Sequence, residues 1–101
     1  MKHDFVENNI IILSKQTIDV ILKQNHPADL IALYCFYYYT AKWQQTNQPK
    51  ATTNYAAKGL KWGVDKTRKN KKILVSLGLI EDVQDKDEKG RIKGWYIKIK
   101  Y

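Results

Sequence analysis

Between Leu30 and Trp43 the chain runs LIALYCFYYYTAKW, fourteen residues with a single charge, Lys42. At about 100° per residue, a helix built from this run has almost no polar side. Leu30, Leu33, Tyr34, Tyr37 and Ala41 fall on one stripe, and Ala32, Phe36, Tyr39 and Trp43 fall on the far side. Pro27 suits the first turn, where its missing N–H is not needed, and Asp29 complements the positive end of the helix dipole. The helix is expected to end near Gln45. Two apolar faces need two partners. One is the domain core; the other is the hairpin or N-terminal strand of the same chain, or a second protomer. For a homodimer the expected interface is Ala32, Phe36, Tyr39 and Trp43.

The run falls short of the roughly 20 apolar residues that span a bilayer, so no membrane partner is expected. The opening MKHDFVENNIIILSKQ lacks the basic-then-apolar order of a signal peptide. Cys35 is the single cysteine, which excludes a disulfide scaffold and a cysteine zinc site and points to a reducing, cytoplasmic setting. A chain of 101 residues with 44% apolar side chains closes one modest core, so a single domain over residues 1–101 is expected.

Around the long helix the sequence breaks into short elements. Asn9 to Leu13 is β-branched and reads as an edge strand. Ser14 offers an N-cap for a helix to about Gln24, with Ile18, Ile21 and Leu22 on one face. After a polar loop over residues 46–50, Thr52 or Thr53 caps a helix whose apolar set is Tyr55, Ala56, Ala57 and Leu60. Lys61 to Gly63 breaks it. A second helix begins at Val64, carries Asp65 in its first turn, and ends before Gly78 as a C′ glycine. Its expected inner stripe is Thr67, the stems of Asn70 or Lys71, Leu74 and Leu77. Leu79 to Gln84 and Arg91 to Tyr101 read as the strands of a hairpin around the charged turn 85–90, with Trp95, Ile97, Ile99 and Tyr101 alternating against Tyr96, Lys98 and Lys100.

The chain carries a net charge of +8, and its location matters more than its size. Residues 1–50 hold five basic and four acidic side chains, whereas residues 51–101 hold thirteen and six. The window Lys58 to Lys72 alone has seven basic residues against Asp65. Such concentration is what a phosphate-binding surface requires. A solvated lysine face gives the same composition, so the element that carries the window decides.

Helix, helix, short turn, helix and two-stranded hairpin is the order of a winged helix-turn-helix. The stretch TTNYAAKGLKWGVDKTRKNKKILVSLGLIEDV, Thr52 to Val83, resembles that superfamily: an alanine pair in the first motif helix, a Leu-x-Trp turn, a recognition helix, and a Leu-Gly-Leu-Ile exit into the wing. The long apolar helix before it and the basic Gly-Trp-Tyr-Ile strand after it are similar to modules of phage and plasmid replication initiators and DnaD-type replisome organisers. Two positions depart from the pattern: Gly63 stands where a Ser or Thr cap is usual, and Gly59 interrupts a helix, each costing up to about 1 kcal/mol of local stability. The resemblance implies an α+β, mainly α, winged helix-turn-helix with a short N-terminal strand, about four helices and a C-terminal hairpin wing. The motif covers about 52–78 and the wing about 79–101. It implies double-stranded DNA as partner, in replication initiation or transcription regulation in a phage or mobile element. The alternative it leaves open is a protein-interaction module for a replication or regulatory partner, whose basic segment meets an acidic protein surface.

In such a motif the second helix presents its N-terminal half to base edges in the major groove. Its expected outward face here is Val64, Asp65, Arg68, Lys69 and Lys72, with Arg68 the candidate for bidentate reading of a guanine. Lys61, Lys66, Lys69 and Lys72 are the expected phosphate contacts, joined by Thr52 and Thr53 at a helix start. Asp65 is expected to favour the helix N-terminus more than to read a cytosine. Residues 85–93 hold four basic and three acidic side chains, so Lys89 and Arg91 are expected to touch DNA from the wing tip with the acids turned away. Tyr34, Tyr37, Trp62, Trp95 and Tyr96 are possible stacking platforms for single strands, but aromatics at helix or strand spacing more often fill a core. His3 and His26 have no nucleophile or carboxylate pair near them in sequence, and no phosphate-cradling glycine loop is present. No enzymatic activity, cofactor or metal is expected.

Overall fold

The computed structural model describes residues 13–46 and 49–100. Among them are four helices, α1 (Lys15–Leu22), α2 (Pro27–Gln44), α3 (Thr53–Leu60) and α4 (Val64–Ser76), followed by strands β1 (Ile80–Lys86) and β2 (Ile92–Ile99). The strands form one antiparallel pair. The architecture is thus α+β, with the helices first and a hairpin last. Of the edge strand expected at 9–13, residues 9–12 lie outside the described residues; Leu13 is not in a strand and packs against the core.

The central element is α2. Leu30, Leu33, Tyr34, Tyr37 and Ala41, the stripe expected to face the core, are all buried, together with Thr40. Thr40 satisfies its hydroxyl on the Phe36 carbonyl at 2.9 Å. Helices α1, α3 and α4 and the hairpin all pack around this one helix or around its neighbours. The far face is covered within the chain only in part. Phe36 lies against α3, its ring 5.6 Å from that of Tyr55, while Tyr39 and Trp43 remain 54% and 70% exposed.

Gly59 accounts for that contact. A Cβ built on it would sit 2.3 Å from the Phe36 ring, so the glycine inside α3 makes room for an aromatic of α2. Helix α3 begins with Thr52, whose hydroxyl accepts from Tyr55 N–H at 3.1 Å, and ends at Lys61 in the left-handed region with φ 59°. Ala56 and Ala57 form its buried seam, where small side chains allow close helix approach.

The hairpin is anchored at its base and open at its tip. Ile80 pairs with Ile99, Asp82 with Ile97 and Gln84 with Trp95, so these six residues share one face. Ile80, Ile97 and Ile99 are buried. Trp95 keeps the expected alternation but is 48% exposed, because that part of the ladder extends past the core and stands beside Ala51 to Thr53. The base is tied down by Tyr34, which donates to the Lys100 carbonyl at 2.9 Å, and by Ile97 N–H, which donates to Pro49 O at 2.9 Å.

Helix α1 corrects the expected face. It ends at Leu22, two residues before Gln24, and Leu22 is 57% exposed. Of the expected face Ile21 is buried and Ile18 half-buried; Thr17, one turn before Ile21, takes the buried place that Leu22 does not. Ser14 caps the helix as expected, accepting from Thr17 N–H at 3.1 Å.

Candidate functional site

Helix α4 carries the densest charge, and its inner face is unusually polar. Thr67, Asn70 and Leu74 are its buried residues. A buried polar group left unpaired costs about 1–3 kcal/mol, so both polar side chains need partners. They find them in their own helix: Thr67 Oγ1 donates to Gly63 O at 3.0 Å, and Asn70 Nδ2 donates to Lys66 O at 2.9 Å. Thr67 thereby ties down the first turn of α4, whose N-cap Gly63 makes no side-chain bond. The C-terminal end closes at Gly78 with φ +76°, a left-handed position that suits glycine.

Beyond its buried residues and the partly buried Lys71 and Ile73, α4 faces water. Val64, Asp65, Lys66, Arg68, Lys69 and Lys72 are exposed, so the expected outward face is outward. The N-terminal half is not uniformly free, however. Arg68 pairs with Asp65 at 3.0 Å, and Lys66 reaches Asp29 of α2 at 3.4 Å with its ammonium 4.6 Å from the Trp62 ring centroid. Exposed ion pairs contribute about 0–1 kcal/mol, so the Asp65–Arg68 pair yields readily to a stronger anion. Lys66 is held twice and serves as a link between α2, the turn and α4.

Two clefts flank this helix. On one side Thr53, Arg68 and Lys72 line a cleft of about 450 Å³ together with Lys71 and Asp82. On the other, Lys66 and Lys69 line one of about 660 Å³ together with Lys23, Asn25, His26 and Asp29. Ser76 borders both, which places it on the ridge between them. The structure thus brings Thr53, Arg68 and Lys72 to one side, and Lys66 and Lys69 to the other. Thr52 lies beside Thr53, and Lys61 stands exposed at the end of α3.

Lys71 has a different role from its neighbours. Its ammonium is 3.0 Å from the Asp82 carboxylate, and its side chain is only 16% exposed. Asp82 shares the hairpin face of Ile80 and Ile97 but stands at its edge, its side chain 34% exposed. The pair fixes the hairpin against α4. Sequence reasoning did not couple these two; the signal available was the alternation of β1, which puts Asp82 on the face of Ile80.

At the hairpin tip Lys89 and Arg91 are exposed, but the acids are not all turned away. Asp87 accepts from the N–H groups of Lys89 and Arg91, each at 2.9 Å, and from Arg91 Nε at 3.0 Å. These bonds, Arg91 N–H foremost, hold its carboxyl below the ordinary range. A tight five-residue turn brings the carboxylate onto the donors that follow it, which composition alone does not reveal.

The aromatic candidates separate by burial. Tyr34 and Tyr37 are in the core and offer no face to a base, and Trp62 is half-buried beneath Lys66. Burial and the nearby Asp82 charge push the Tyr37 phenol up, and among the described residues its hydroxyl has no hydrogen-bond partner. Cys35 is half-buried, which pushes its thiol up. His26 occupies the N-cap position of α2 and makes no side-chain cap bond; His3 lies outside the described residues. No group of side chains suited to a metal ion is found among the described residues, and no described helix is long and apolar enough to cross a membrane.

No family model, no curated protein and no solved structure matches the chain.

Proposed function

We propose that this is a winged helix-turn-helix protein that binds double-stranded DNA, with α3 and α4 as the motif, α4 in the major groove and the hairpin as the wing. The observation that carries the reading is the division of α4. Thr67, Asn70 and Leu74 are buried, with Lys71 and Ile73 partly buried beside them, which leaves Val64, Asp65, Arg68, Lys69 and Lys72 exposed together. The major groove admits one helix, and the N-terminal half of a recognition helix meets base edges. In that position Arg68 exchanges Asp65 for a guanine edge, Lys72 and Lys69, on opposite sides of the helix, meet phosphates, and Thr52 and Thr53 meet the backbone from the start of α3. The role we assign is replication initiation or transcription regulation in a phage or mobile element, in the cytoplasm.

The test is affinity for a random-sequence duplex as a function of salt. Each phosphate neutralised contributes about 0.9 to the slope of log K against log salt. The wild type is expected to bind with a steep slope, and Arg68→Glu with Lys69→Glu to abolish binding while the thermal midpoint holds. Unchanged affinity in the double variant removes α4 as the recognition helix.

A second reading rests on the open rings of Tyr39 and Trp43, which fit an interaction face on α2. A second copy seated there presents two α4 helices and demands a two-fold site with half-sites about 10 bp apart. A monomer by light scattering with a single footprinted half-site contradicts the dimer. A preparation indifferent to duplex DNA favours a protein-interaction module in place of a DNA-binding one.

A further inference from the structure

The cleft between the α1–α2 turn and α4 is larger than the one on the hairpin side, and no residue of that turn belongs to the surface proposed above. Three lysines, Lys23, Lys66 and Lys69, line it against one carboxylate, Asp29, which is engaged with Lys66 at 3.4 Å. Asn25 and His26 add polar side chains at its rim, and both are exposed. The lysines come from two elements distant in sequence, the end of α1 and the near edge of α4. This convergence is not a consequence of the Lys58 to Lys72 run.

A helix in the major groove has a phosphate strand on each side, about 12 Å apart across the groove. In the proposed placement Thr53 and Lys72, which line the hairpin-side cleft, meet one of these strands. We infer that the α1–α2 turn is a second phosphate clamp, in which Lys23 and Asn25, with Lys69 of α4, hold the backbone of the opposite strand. This rests on the proposed placement of α4 in the groove. The ligand chemistry is that of phosphodiesters: the cleft is open, and its cations come from both of its walls. Lys66 is restrained by Asp29 and Trp62, so Asp29 limits the positive potential of the cleft. Its removal releases a third cation to the phosphates.

The test uses the full chain and a random-sequence duplex of about 16 bp, with three single variants compared in salt titrations. Lys23→Ala is expected to make the slope shallower by about 0.9, the loss of one phosphate contact, and Lys69→Ala to do the same. Asp29→Asn is expected to raise affinity roughly two- to fivefold, the equivalent of one exposed ion pair. A purely structural role for Asp29 would instead leave affinity level or lower it. Circular dichroism melting verifies that each variant is folded; Lys23 is exposed and Asn is accepted in a first helical turn. If Lys69→Ala loses slope while Lys23→Ala keeps the wild-type value, the clamp is overturned and the recognition helix stands. If the wild type itself shows no salt-dependent affinity for duplex, the DNA reading fails and the clamp with it.

Discussion

Helices α2 and α4 lie against each other and are built on opposite terms. Helix α2 buries six of its 18 residues and carries two charges, Asp29 and Lys42. Helix α4 buries three of its 13, two of them polar and satisfied within the helix itself. The core is therefore organised by α2, and α4 meets it along Thr67, Asn70 and Leu74 with Ile73 partly buried beside them. Surface so lightly committed to packing can carry charge without destabilising the fold. The difference teaches that stability and the proposed binding are located in different helices, and substitutions should separate them.

The largest expected effect lies on α2. Leu33→Ala removes a fully buried side chain at the centre of the core and should cost about 2–5 kcal/mol in denaturant unfolding. A loss below about 1 kcal/mol would mean that α2 is not the organising helix. Gly59→Ala should cost about 1–3 kcal/mol, because the new methyl meets the Phe36 ring and the core must shift to admit it. Helix propensity alone predicts the reverse, a gain of about 1 kcal/mol, so the sign of the change in midpoint decides between them.

Tyr37→Phe should be neutral to stabilising by about 1 kcal/mol, since it removes a buried hydroxyl that lacks a partner. A loss of stability would show that the hydroxyl is satisfied in solution. The smallest effect belongs to the hairpin tip. The Asp87 carboxyl is held below its ordinary value of 3.8, so the order it confers is complete above that pH and is lost as pH falls through the lowered value. Followed by NMR, the Lys89 and Arg91 amides should shift together in that acid range, and Asp87→Asn should remove the shared transition.

Much of the fold was legible because its signals are local. Ser14 and Thr52 cap the helices expected of them, Gly78 closes α4, and the 3.6-residue period placed five of the six buried residues of α2, all but Thr40. What was not legible depends on meetings between distant elements. Leu22 matched an apolar spacing but is left exposed while Thr17 is buried. Gly59 read as a weak point of α3, and its cause is a ring of α2. In the candidate site, the outward face of α4 followed from the helical period. The Lys71–Asp82 and Lys66–Asp29 pairs and the cleft beside Lys23 did not, because they arise where α4 meets the hairpin and the α1–α2 turn.

The most direct measurement is an amide chemical-shift map of the full chain titrated with duplex DNA. If α4 is the recognition helix, the shifts concentrate on Val64 to Lys72 with Thr52 and Thr53, and the amides around Tyr39 and Trp43 stay near their free positions. Shifts centred on Tyr39 and Trp43, with α4 unmoved, would contradict the proposal and assign the contact to α2.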